Sequence, residues 1–210
     1  MERLALRDGQ AFEAVTSAAS VFELNVPNAL TVFRILLVPV LVAALLSGAP
    51  SGDLLAAIVF ALASFTDALD GWIARRNQSE STFGKLMDPL ADKLLVISAL
   101  VSLVSLNRVS AAIAMVIIAR ELAVTGLRQL AMESGHVVGA SVWGKLKTVA
   151  QIAMVLCLIA VDGSPPWLDA LVYVTVAITV LSGADYFFGL RRRLRSGPAL
   201  EPVAHRDVAR

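Results

Sequence analysis

The stretch Asp67-Ala-Leu-Asp70-Gly71-Trp72-Ile-Ala74-Arg75, followed after eight residues by Gly84-Lys-Leu-Met-Asp88-Pro-Leu-Ala-Asp92, sets four carboxylates inside otherwise apolar sequence. A charged side chain at bilayer depth is expensive unless it is paired, hydrated or bound to a cation. Asp67 and Asp70 are three residues apart, and Asp88 and Asp92 are four apart, so on helices each pair shares a face. Two helices joined by a short loop then aim all four carboxylates at one spot. Hard divalent cations, which prefer carboxylate oxygen, are the simplest way to hold them there. Gly71 and Gly84 let a ligand or a neighbouring helix approach the backbone closely.

The surrounding chain supplies the hydrocarbon. Of 210 residues, 57% are hydrophobic and only 17% charged, and mean hydropathy is +0.74. A soluble domain is less apolar and more charged than this, so the composition points to an integral membrane protein. The net charge of +1 supplies no global basic field, which speaks against a nucleic-acid partner. Cys157 is the single cysteine, lies in an apolar run and reads as a small core residue.

Spanning helices need about 20 mostly apolar residues. Six stretches qualify: Asn28–Ser47, Asp53–Arg75, Phe83–Leu106, Val109–Met132, Val142–Val161 and Leu168–Leu190. The breaks between them have turn compositions, such as Ser47-Gly-Ala-Pro-Ser-Gly-Asp53 and Asp162-Gly-Ser-Pro-Pro166. Backbone groups in lipid must be satisfied within the segment, so the expected fold is an all-α integral membrane bundle of six transmembrane helices. Lys and Arg set its orientation. Arg75, Arg76, Lys145, Lys147 and the run Arg191 to Arg195 fall at one side, and Arg108 at the other. Both termini are therefore expected in the cytoplasm, with the carboxylates in the inner leaflet. The expected organisation is a cytoplasmic arm over residues 1–27, a catalytic bundle over 28–190 and a basic tail over 191–210. The arm lacks the apolar core of a secretory signal and reads as an amphipathic or disordered segment.

The pattern D-x-x-D-G-x-x-A-R, eight residues, G-x-x-x-D-x-x-x-D resembles the signature of the CDP-alcohol phosphatidyltransferase family. Eight specified positions at fixed spacing make a chance match improbable. The resemblance implies the family's phosphotransferase fold, a homodimer, and transfer of a phosphatidyl group from CDP-diacylglycerol to an alcohol with release of CMP. It implies Asp67, Asp70, Asp88 and Asp92 as ligands of two Mg2+ ions (or Mn2+), with Asp92 also the catalytic base. Gly71, Ala74 and Arg75 map onto the nucleotide-binding part of the motif, with Thr82 and Gly84 beside it. Pro27-Asn28-Ala-Leu-Thr31-Val-Phe-Arg34 resembles the family's other nucleotide-facing element, adding Asn28, Thr31 and Arg34 to the CDP-diacylglycerol site. Asn28 also suits a helix N-cap. Arg34 in an apolar helix calls for a phosphate or a carboxylate.

The acceptor must be read from the later helices. Arg120-Glu121 interrupts an apolar run and Arg128 follows. Gly144, Lys147, Thr148 and Gln151 fall on one helical face. A cationic face rich in hydrogen-bonding groups suits a phosphorylated polar acceptor. Its phosphate is expected to sit against some subset of Arg120, Arg128, Lys145 and Lys147. Lys145 and Lys147 also suit interface anchoring, and Arg120-Glu121 partial self-neutralisation. Together these segments resemble one branch of the family, and that resemblance implies glycerol-3-phosphate as acceptor. Phosphatidylglycerol or inositol phosphate would be the acceptor in neighbouring branches. Divalent-cation transport is a different reading of intramembrane carboxylates, but one acidic hairpin without paired broken helices suits a fixed metal site better.

Other marked residues have plainer readings. His136 reads as a loop residue, and Lys93 as local charge balance for Asp92. Trp72, Trp143 and Trp167 read as interfacial anchors. Gly183-Ala184-Asp185 reads as a close-packing step or part of a dimer seam.

Overall fold

Each of the six apolar runs forms one helix. In the computed structural model, which describes residues 26–77, 82–133 and 142–195, these are α1 (Val26–Leu46), α2 (Gly52–Asn77), α3 (Thr82–Ser105), α4 (Ala111–Glu133), α5 (Val142–Ala160) and α6 (Pro166–Arg195). The arm before residue 26, the α2–α3 link, the His136 turn and the tail beyond Arg195 lie outside the described residues. All described secondary structure is helical.

The largest differences from the sequence reading are at the helix ends. Helix α2 continues to Asn77, and α6 runs from Pro166 to Arg195. Hydropathy marks where hydrocarbon ends, whereas the backbone ladder continues through polar residues with good helix propensity such as arginine. Proline also fits a first helical position, where its missing N–H would have no partner.

The tight connection between α3 and α4 follows from local chemistry. Asn107 takes a left-handed conformation (φ 56°). The Arg108 amide donates to Leu103 O at 2.9 Å and the Asn107 amide to Val104 O at 3.0 Å. This is a Schellman C-cap, with asparagine tolerated where glycine is usual. Ser110 then caps α4, its Oγ accepting from the Ile113 amide at 3.3 Å. Arg108 locks this end of the bundle. It donates to Ile159 O at 2.8 Å, near the C-terminus of α5, and pairs with Asp53 in the first turn of α2.

Helix α1 packs on α2 and α3, α5 on α2 and α6, and α4 on α3 and α6. The core holds Leu41, Phe60, Leu100, Leu103, Ile117 and Met154, all fully buried, with Ala56, Ala63 and Ala99 at close helix contacts. Large apolar side chains also cover the outside of all six helices: Leu36, Leu54, Phe65, Val101, Met115, Val149 and Tyr173 are each more than half exposed. Such an apolar exterior is suited to lipid rather than water. Three described helices, α1, α5 and α6, are long and apolar enough to cross a bilayer. The protein is a multi-pass membrane protein. Helices α2, α3 and α4, of 26, 24 and 23 residues, carry most of the charged residues that line the site.

Candidate active site

A cleft opens between α1 to α5, away from the end locked by Arg108. Helix α1 contributes Arg34, and α2 contributes Ser64 and Asp67. From α3 come Asp92 and Lys93, from α4 Glu121, and from α5 Lys147, Thr148 and Gln151. The motif residues Asp67 and Asp92 thus share one cavity with the polar face of α5, although 25 and 55 positions separate Asp92 from Asp67 and Lys147 in the chain.

Charge pairing organises the walls. Arg34 is 1% exposed and its Nη1 lies 2.8 Å from Asp67 Oδ1. Thr31, one turn earlier on α1, is fully buried as well. Lys93 pairs with Asp92 and approaches Glu121 Oε2 at 3.8 Å. Glu121 is the hub: it also pairs with Lys147 and lies 3.6 Å from Arg120 Nη1. An isolated carboxylate at this burial would be strongly unfavourable, and three cations around it supply the compensation.

Arg120 belongs to a neighbouring arrangement. Its guanidinium points at α6, donating from Nε to Thr179 O at 3.1 Å and from Nη2 to Ser182 Oγ at 2.7 Å. Gly183 leaves room for it, since a Cβ there would lie 3.2 Å from Arg120 Cγ. The Gly183 step is therefore a packing site for Arg120. Arg128 lies over the Tyr186 ring at 5.9 Å and Lys145 is exposed. Of the four candidate cations for the acceptor phosphate, Lys147 lines the cleft, and Arg120, Arg128 and Lys145 do not.

The remaining motif residues sit on described backbone. Asn28 is on α1, Asp70, Gly71, Ala74 and Arg75 are on α2, and Thr82, Gly84 and Asp88 on α3; their side-chain surroundings lie outside the described residues. Among the described residues, no three His, Cys, Asp or Glu side chains gather as a metal-binding group. By sequence Glu121 was read only as a partner of Arg120, and Gln151 only as part of the polar face of α5. The available signal was the presence of both in apolar helices, with Gln151 one turn beyond Lys147.

A family model for CDP-alcohol phosphatidyltransferases matches residues 24–181, from the start of α1 into α6. The chain belongs to the CDP-alcohol phosphatidyltransferase family. Among its relatives, the CDP-diacylglycerol–glycerol-3-phosphate 3-phosphatidyltransferase of Bacillus subtilis is 41% identical over 180 residues, covering 78% of this chain and 93% of the relative. The proteins so named in Rickettsia bellii and Pseudomonas fluorescens are 35% and 34% identical, covering 78% and 88% of this chain and 93% and 96% of theirs. The family match contains every described residue that lines the cleft.

Proposed function

We propose that this family member transfers the phosphatidyl group of CDP-diacylglycerol to sn-glycerol-3-phosphate, giving phosphatidylglycerophosphate and CMP. The observation that carries the reading is a single cleft in which motif carboxylates Asp67 and Asp92 share walls with the buried ammonium of Lys147. The names of the relatives, which align along most of the chain, agree with that acceptor.

The donor set suits divalent cations. The described cleft charges balance, with Asp67, Asp92 and Glu121 against Arg34, Lys93 and Lys147. Asp70 and Asp88 from the same motif add two negative charges, which hard dications neutralise through carboxylate oxygen. Asp67, Asp70, Asp88 and Asp92 would hold two Mg2+, or Mn2+. When bound, the ions supply charge stabilisation for the phosphoryl group in transfer.

The chain's own residues do the rest. Arg34, Thr31 and Asn28 on α1 hold the CDP-diacylglycerol headgroup together with Gly71, Ala74, Arg75, Thr82 and Gly84. Lys147 draws in the acceptor phosphate, with Lys93 beside it. Arg120 supports this wall through Glu121, and Arg128 and Lys145 add positive charge at the approach. Asp92 takes the proton from the acceptor's primary hydroxyl. That oxygen then bonds to the phosphorus carrying diacylglycerol, and the bond from this phosphorus to the CMP oxygen breaks.

The same reading makes all six helices transmembrane, because the exteriors of α2, α3 and α4 are apolar despite their charged interior. It places both termini and the cleft on the cytoplasmic side of the cell membrane, by the distribution of Lys and Arg. Residues 1–27 form the arm, 28–190 the catalytic bundle and 191–210 the tail, and the working unit is a homodimer. The test is incorporation of labelled glycerol-3-phosphate into organic-soluble lipid by purified protein supplied with CDP-diacylglycerol. Label recovered as phosphatidylglycerophosphate supports the reading, and label remaining entirely in the aqueous phase contradicts it.

A further inference from the structure

Gln151 lines the cleft one turn beyond Lys147 on α5 and is 2% exposed. Its Oε1 is buried without a hydrogen-bond partner. Buried amide oxygens are nearly always satisfied, so one left open on a cavity wall marks a place for a donor. The charged and hydroxyl groups that line the cleft beside it have other partners. Lys147 is paired with Glu121, Lys93 with Asp92, and Arg34 with Asp67. The Thr148 hydroxyl donates to Gly144 O at 3.1 Å. A donor carried in by the cavity's occupant fits this open acceptor.

Resting on the reaction proposed above, we infer that Gln151 reads the secondary hydroxyl of glycerol-3-phosphate and selects for a glycerol-type acceptor. Lys147 faces the phosphate and Asp92 the primary hydroxyl. The carbon between those two ends carries the hydroxyl that does not react. Gln151 follows Lys147 along the same helix face and lines the same cavity as Asp92. Its neutral amide can accept from that hydroxyl without adding charge beside the phosphate. A site built to hydrogen-bond a substrate hydroxyl rejects the analogue that lacks it, because the protein group is then left buried and unpaired.

The test compares CMP release from CDP-diacylglycerol with glycerol-3-phosphate and with 3-hydroxypropyl phosphate, which lacks only the secondary hydroxyl. For the wild-type protein, kcat/KM should favour glycerol-3-phosphate by about tenfold or more. In Gln151→Met, which keeps the volume and loses the amide, the preference should shrink to within about threefold. A merely structural role would change both acceptors together and leave the ratio intact. A wild-type protein indifferent to the missing hydroxyl, or a variant that keeps the wild-type ratio, overturns the inference while leaving the reaction standing. If Gln151→Met does not fold, wild-type protein is assayed with 2-fluoro-3-hydroxypropyl phosphate, which fills the space but has no proton to donate. A kcat/KM for this analogue about tenfold or more below that for glycerol-3-phosphate supports the inference, and use as good as glycerol-3-phosphate overturns it. Wild-type protein that is folded and releases no CMP with glycerol-3-phosphate overturns the reaction, and this inference with it.

Discussion

The Lys147 ammonium is paired with the Glu121 carboxylate inside the bundle, with side-chain exposures of 9% and 6%. This contact joins α4 to α5 and fixes the cationic wall of the cleft. Lys93 and Arg120 lie within 3.8 Å and 3.6 Å of the same carboxylate, so one acidic residue holds three cations in register.

Removing that carboxylate strands the cations. Glu121→Ala should destabilise the protein by about 3–5 kcal/mol, the cost of breaking a buried pair from one side. The check is the thermal unfolding midpoint of the detergent-solubilised protein. A midpoint unchanged from wild type would show that the pair is dispensable.

The two lysines of α5 should separate in an acceptor titration. Lys147 is buried in the cleft and Lys145 is exposed outside it. Lys147→Ala should raise KM for glycerol-3-phosphate about tenfold or more, the worth of a hydrogen bond to a charged group. KM for CDP-diacylglycerol should move far less. Lys145→Ala should leave both within about twofold, as exposed charges contribute little. Equal effects of the two substitutions would remove Lys147 from the acceptor site.

Arg120 should act mainly on stability. Its two hydrogen bonds to α6 tie α4 to Thr179 and Ser182. Arg120→Met should lower the unfolding midpoint, at about 1.5–3 kcal/mol for hydrogen bonds from a charged donor. Gly183→Leu should act in the same direction, since any Cβ at that position already crowds Arg120 Cγ. A Gly183→Leu protein as stable as wild type would contradict the packing role.

The described helices and the common side of Asp67 and Asp92 were legible because both depend on local pattern. Apolar runs of membrane-spanning length marked the six helices of the described residues, and carboxylate spacing placed Asp67 and Asp92 toward a common spot. The shared face of Lys147 and Gln151 followed from a spacing of four. The direction of Arg120 was not legible. Its partners are a backbone carbonyl and a hydroxyl some 60 residues away, and neither has a charge signature in the sequence. The hub role of Glu121 likewise needs three helices in place. Adjacency to Arg120 suggested a private pair, whereas packing also brings Lys147 and Lys93 to the carboxylate.

Metal dependence has two parts. Chelation should abolish CMP release, and added Mg2+ should restore it. Asp67→Asn, Asp70→Asn and Asp88→Asn should each lose turnover and weaken CDP-diacylglycerol binding together. Asp92→Asn should keep donor binding and lose turnover, as expected when the base is removed. Wild-type turnover in Asp92→Asn would exclude it as the base.

The most direct single measurement is CMP release from CDP-diacylglycerol by folded, detergent-purified protein with Mg2+, with glycerol-3-phosphate, inositol phosphate and phosphatidylglycerol supplied separately. The account predicts release that depends on glycerol-3-phosphate alone and disappears in Asp88→Asn. Release driven by either of the other acceptors, or no release with any of them, would contradict it.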